Sequence, residues 1–111
     1  MNSAETLKLN KDFRRLYYKG KCVTSRTIVV YAQKNRGEIN RIGLTCGKSV
    51  GKAFARNRAK RLIRESYRTL APNLKKGYDM VFIARTAICG KKCGDILKDM
   101  SFLMEKLDML L

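Results

Sequence analysis

The chain has 111 residues, 45% of them hydrophobic, with 25 Lys plus Arg against 9 Asp plus Glu for a formal net charge of +16. That is the composition of a single folded domain, residues 1–111, with a core of its own; it excludes a disordered basic tail, and no run approaches the roughly 18 apolar residues of a membrane-spanning helix or forms the apolar stretch of a signal peptide. Histidine is absent, which removes the usual general base near neutral pH and the commonest metal ligand, while so large a positive surplus calls for a polyanionic partner.

In chain order, Asn10 offers an N-cap and Phe13, Leu16 and Tyr17 follow at helical spacing until Gly20, which predicts a short helix over about 11–19. Thr27-Ile-Val-Val-Tyr-Ala32 is β-branched and aromatic, a strand, and the charged stretch from Gln33 to Asn40 with Gly37 is a turn. Arg41-Ile-Gly-Leu-Thr-Cys46 alternates, with Ile42, Leu44 and Cys46 on one side, and the two strands are expected to pair antiparallel. Gly47 to Gly51 is a loop. Ala53 to Leu70 is the longest periodic segment, with a narrow apolar stripe of Ala55, Ala59, Leu62, Ile63, Ser66 and Leu70; Pro72 and Gly77 bracket its exit. Tyr78-Asp-Met-Val-Phe-Ile-Ala84 is nearly continuous in apolar residues, as in a central strand covered on both faces. After a turn at Gly90 to Gly94, Asp95 is a plausible cap for a last amphipathic helix through Ile96, Met100, Leu103, Met104, Leu107 and Leu111. This order gives an α+β domain, a small sheet with helices packed on it.

Charge is concentrated. Residues 41–68 carry nine basic groups and one acid, Glu65, so half the net charge lies in a quarter of the chain. On a helix, Arg56, Lys60, Arg64 and Arg68 stack at i, i+4 spacing, Asn57, Arg61 and Arg68 form a neighbouring row, and Arg58 lies to the side. Like charges at that spacing repel by roughly a few tenths of a kcal/mol per pair, with only Glu65, four residues after Arg61, to relieve them. Such a helix is a solvated surface, a membrane-surface helix or a phosphate-binding face. The lone acid favours phosphate, since guanidinium forks match phosphate oxygens and Asn57 can donate and accept. Phe13 and Tyr17 share one helix face and Tyr31 lies on the first strand; by spacing alone they are either core or a platform on which unpaired bases stack among cations.

The four cysteines, Cys22, Cys46, Cys89 and Cys93, are too widely and unevenly spaced for a disulfide framework. Cys22 and Cys46 sit in or beside strand-like runs as small hydrophobes, and Cys89-Gly-Lys-Lys-Cys93 lacks the second pair that a zinc site needs. Reduced thiols and a cytoplasmic location are expected.

Gly51-Lys-Ala-Phe-Ala-Arg-Asn-Arg-Ala-Lys-Arg-Leu-Ile-Arg64 resembles the Arg-Asn-Arg signature of the bacterial ribonuclease P protein subunit. Asn10-Lys-Asp-Phe13, Arg41-Ile-Gly-Leu44 and Tyr78-Asp79 leading to Ile83-Ala-Arg85 stand in that family's order, so the likeness spans roughly residues 10–108. It implies a two-layer α/β sandwich like the second domain of ribosomal protein S5, with a left-handed βαβ crossover through the basic helix, against the general right-handed rule. It also implies an endoribonuclease that removes the 5′ leader of precursor tRNA, with the active site in its RNA subunit. By the match, Arg56, Asn57, Arg58, Lys60, Arg61 and Arg64, with Arg68 in the same rows, bind the catalytic RNA. Phe13, Tyr17 and Tyr31, with Arg26 and Lys48 nearby, line the cleft for the single-stranded leader. Two departures stand out: Thr45-Cys-Gly-Lys-Ser49 replaces a serine followed by two lysines, and Met1 to Leu9 carries only Lys8 where relatives have a basic arm.

The expected partners are ribonuclease P RNA and the precursor tRNA leader, with no DNA or membrane partner. The protein alone is expected to bind no cofactor and to hydrolyse nothing, Mg²⁺ entering with the RNA, because phosphodiester chemistry by a protein needs histidines or clustered carboxylates. A structural, ribosome-associated RNA-binding protein is the alternative; it has no need of an open aromatic cleft.

Overall fold

The computed structural model describes residues 5–7 and 9–111, so the basic-arm question at Lys8 lies outside the described residues. Its elements are β1 (Glu5–Thr6), α1 (Asn10–Lys19), β2 (Lys21–Thr24), β3 (Ile28–Lys34), β4 (Arg41–Cys46), α2 (Ala53–Leu70), β5 (Tyr78–Ala84) and α3 (Cys93–Lys106). They form one mixed sheet in the order β1-β4-β5-β3-β2. No helix among the described residues is long and apolar enough to cross a membrane.

The expected β3–β4 hairpin does not exist. β5 lies between them, antiparallel to β3 through Tyr31↔Val81 and parallel to β4 through Gly43↔Val81. Parallel neighbours need a crossover connection, and α2 supplies it. This central placing explains the apolar run of β5, which is covered on both faces. Because side chains alternate, Ile28, Val30, Ala32, Met80, Phe82 and Ala84 point to one side, where they meet Ile63 and Tyr67 of α2 and Ile96, Met100, Leu103 and Met104 of α3 in one core. Val81 points to the other, where Leu16 of α1 and Leu7 cover it.

Local rules explain several boundaries and miss others. α1 begins at Asn10 itself with Leu9 as its N-cap, so Asn10 is not the cap; Gly20 ends it by donating its N–H to the Leu16 carbonyl at 2.8 Å. α3 starts at Cys93, and Asp95 acts from inside the first turn by accepting the Lys92 N–H at 2.9 Å. The chain leaves that helix after Lys106, so Leu111 is 82% exposed rather than the end of an apolar stripe. On α2, Ala59, Ile63 and Ser66 are buried as the stripe predicts, but so is Tyr67, whose hydroxyl receives a 3.2 Å hydrogen bond from Asn40. The same Asn40 amide donates to the Lys75 carbonyl, and its oxygen accepts the Tyr78 N–H. One buried side chain thus ties α2 to the start of β5 where the crossover returns to the sheet.

Candidate nucleic-acid interface

α2 holds its basic face by burying the opposite side. With Ala59, Ile63, Ser66 and Tyr67 in the interior, helical geometry leaves Asn57, Arg61, Arg64 and Arg68 exposed and Arg56, Arg58 and Lys60 half-buried. Two of the cations are tethered. Arg56 donates to the Gly51 carbonyl at 3.2 Å and Arg58 to the Lys91 carbonyl at 2.7 Å. Glu65 pairs with Arg68, not with Arg61, so the one acid leaves Arg61 and Arg64 uncompensated along the helix. A groove of about 420 Å³ is lined by Arg58, Arg61, Arg64 and Arg68 together with Glu65, Leu62 and Cys93.

Phe13, Tyr17 and Tyr31 come together on the opposite face of the sheet. Phe13 and Tyr17 have ring centroids 6.4 Å apart, and Tyr17 meets Tyr31 edge to face at 5.1 Å. Gly43 makes the arrangement possible, since a Cβ there would lie 2.7 Å from two atoms of the Phe13 ring. None of the three rings is sealed: Tyr17 is 43% exposed, and Phe13 and Tyr31 are half-buried. Beyond them Val29, Ile83 and Thr45 share this face and are only half-buried, so α1 roofs part of the sheet and leaves the rest open. Burial raises the Tyr17 hydroxyl against a lowering hydrogen bond with Thr45. Hydrogen bonding and charge interaction with the Cys22 thiol, then burial, raise that of Tyr31. Both phenols stay neutral at physiological pH.

The cleft is anchored by Asp79, a β5 carboxylate with no exposed surface. Arg15 reaches it from α1 at 2.7 Å, Arg41 from β4 with two bonds of 2.8 and 2.7 Å, and Asn35 from just past the end of β3 at 3.0 Å. Burial by itself raises this carboxyl, but the donors of Arg41, Arg15 and Asn35 together outweigh it and hold it below its ordinary range. Arg15 also bonds Gln33 of β3 at 2.7 Å, so one guanidinium fixes α1 over the sheet and with it the bearing of Phe13 and Tyr17. Spacing gave no sign of this network, because its members come from four separate segments.

The remaining site residues are placed differently. Lys48 lies in a single 3-10 turn, Lys48–Val50, just past the end of β4, and is exposed. Arg26 does not join the aromatic group; it lines a separate depression with Lys91 and with Asp95, Lys98 and Asp99 of α3. Arg85, one residue beyond β5, adds an exposed cation at the same end of the sheet as Lys48 and donates to the Ser25 carbonyl. Sequence reasoning used Arg85 only as part of a motif. The four cysteines are free, and Cys22, expected as a small hydrophobe, is exposed on the edge strand β2.

Residues 1–108 match the family model described as Ribonuclease P. The chain is 47% identical over 107 residues to the ribonuclease P protein component of Clostridium acetobutylicum, covering 95% of this chain and 90% of that protein. It is 39% identical to that of Clostridioides difficile, covering 97% and 96%. Among solved structures it is similar to the RNase P protein of Staphylococcus aureus, with TM-score 0.87 and 29% identity over 98% of this chain and 100% of that one. It is also similar to the RNase P protein of Thermotoga maritima, with TM-score 0.83 and 28% identity over 92% and 96%.

Proposed function

This chain belongs to the ribonuclease P protein family and is the protein subunit of a tRNA-processing ribonucleoprotein endoribonuclease, and we propose that it divides its RNA contacts between the two faces of its sheet. On one face α2 docks the catalytic RNA through Arg56, Asn57, Arg58, Lys60, Arg61, Arg64 and Arg68. On the other, Phe13, Tyr17 and Tyr31 stack the unpaired bases of the precursor tRNA 5′ leader, with Lys48 and Arg85 serving its phosphates. Arg26, which faces α3, stays outside this stacking group. The observation that carries the reading is the meeting of three partly exposed aromatic rings on one face of a sheet whose end carries the exposed cations Lys48 and Arg85, an arrangement that suits sequence-tolerant single-strand binding.

In this reading the protein positions and does not hydrolyse. It screens phosphate repulsion between the two RNAs and holds the leader so that the scissile bond reaches the RNA active site. The Mg²⁺ of the holoenzyme then belongs to the RNA. Among the described residues, three carboxylates are already engaged: Asp79 accepts from Arg15, Arg41 and Asn35, Asp99 from Thr27, and Asp95 from the Lys92 N–H. A cytoplasmic location with free thiols suits this role.

The test is reconstitution of the full chain with a ribonuclease P RNA and an assay of precursor cleavage across Mg²⁺ concentrations. The complex is expected to need less Mg²⁺ than the RNA alone and to bind precursor more tightly than mature tRNA. An unchanged Mg²⁺ requirement together with unchanged precursor affinity would sink the proposal. A purely structural RNA-binding protein would show neither effect.

A further inference from the structure

A second aromatic feature lies outside the leader cleft. Phe54, the second residue of α2, is 75% exposed, a large apolar side chain at the head of the most basic element of the chain. It borders a hollow of about 280 Å³ whose floor is the buried pair Ala59 and Ile88 and whose other sides are Arg58, Cys89 and Gly90. Typical small-molecule sites span about 300–1,000 Å³, so the hollow is at the small end of that range, with room for one planar group.

The hollow is held open by specific bonds. The Cys89 thiol donates to the Val50 carbonyl at 3.0 Å, tying the segment after β5 to the turn before α2. Arg58 donates to the Lys91 carbonyl at 2.7 Å, which fixes the guanidinium one helical turn beyond Phe54. At Gly90, φ is +79° and a Cβ would meet nothing within 4 Å, so that side opens to solvent. An apolar floor, an aromatic edge and a fixed guanidinium are the parts that hold an unstacked nucleobase.

Charge selects the occupant. Arg58 lines the notch, and the flanking chain adds Lys52, Arg56, Lys91 and Lys92 against Asp95, with no acid on α2 before Glu65. A second copy of so cationic a surface would be repelled, whereas an RNA backbone would be drawn in. We infer that the Phe54–Arg58 notch binds one flipped-out base of the catalytic RNA, a stacking contact that adds to the phosphate contacts of α2. The inference rests on the proposed docking of that RNA along α2.

The chain contains no tryptophan, so Phe54→Trp installs a single fluorescent reporter at an exposed position. Titrating that full-length variant with ribonuclease P RNA is expected to quench its emission and protect it from acrylamide. Phe54→Ala and Phe54→Leu are expected to weaken RNA binding about five- to 150-fold, the span of stacking losses on truncation, while the slope of log K against log salt stays at the wild-type value. Arg61→Ala, run in parallel, should lower both affinity and slope. If Arg61→Ala behaves so but Phe54→Ala binds like wild type or the reporter stays accessible, the base notch is overturned and the docking face stands. If Arg61→Ala changes nothing, the docking face falls and the notch with it. Self-association of the RNA-free protein that disappears in Phe54→Ala would also overturn the inference, assigning the patch to a second copy.

Discussion

Asp79 and Gly43 show how single residues shape the aromatic face proposed for the leader. Asp79 is buried between two guanidiniums that keep about a third of their surfaces in water. Asp79→Asn is therefore expected to cost about 3 kcal/mol, the low end for breaking a buried pair, because both arginines can rehydrate; urea unfolding measures it. Its carboxyl is lowered in the fold, so its contribution is complete above the unfolded value of about 3.9 and is lost as pH falls through the lower folded value. Below about pH 4 the wild-type protein should lose stability more steeply than Asp79→Asn. An identical acid limb in the two proteins would refute the anchoring role. At Gly43 the constraint is steric. Gly43→Ala should push the Phe13 ring outward, cost about 1–3 kcal/mol of overpacking, and weaken precursor tRNA more than mature tRNA in paired titrations.

At the scale of the element, α2 presents cations that are not equivalent. Arg61 is exposed with no partner on the one helical acid, whereas Arg58 also secures the Lys91 carbonyl. Arg61→Ala should reduce RNA affinity and lower the salt slope by about one without moving the thermal midpoint. Arg58→Ala should do the same to RNA binding and also lower the midpoint, since it frees the Lys91 carbonyl. Equal melting behaviour of the two variants would show that the carbonyl bond is dispensable. The helix tolerates its own repulsion because Ile63 and Tyr67 anchor it to the sheet, a burial gain of about 1.5–3 kcal/mol per large apolar side chain against a few tenths per repelling pair.

For the whole molecule, the sheet separates two surfaces. α2 packs on the side of Ile28, Met80 and Phe82, and the three aromatic rings lie on the side of Tyr31, Val81 and Ile83. Contacts on opposite faces of a packed sheet share no partners, so their effects should add. In precursor binding by the reconstituted enzyme, the Tyr31→Ala/Arg61→Ala double variant should lose the sum of the single losses within about 0.5 kcal/mol. Mature tRNA binding should register only the Arg61→Ala part. A coupling well above that margin would place leader and catalytic RNA on one continuous surface.

Much of this was legible in the residues because periodicity is local. The bounds of α2, of β4 and of the apolar run of β5 follow from spacing alone, and the Arg-Asn-Arg signature marks the family without any coordinates. Strand partners were not legible from local pattern; only the family resemblance implied a crossover through the basic helix. β3 and β4 are consecutive and each reads as a strand, yet β5 intervenes, because a crossover helix between β4 and β5 favours parallel pairing that no local pattern records. Tyr67, four residues after Ile63, stands at helical spacing on the buried face; what spacing could not give is its partner Asn40, 27 residues earlier. The sequence by itself determined the charge, the elements and the kind of partner. Only the tertiary structure decided that Phe13, Tyr17 and Tyr31 form one open cleft, that Arg26 turns away from it, and that Asp79 holds it in place. Those facts depend on contacts between distant segments, which chain connectivity permits but does not encode.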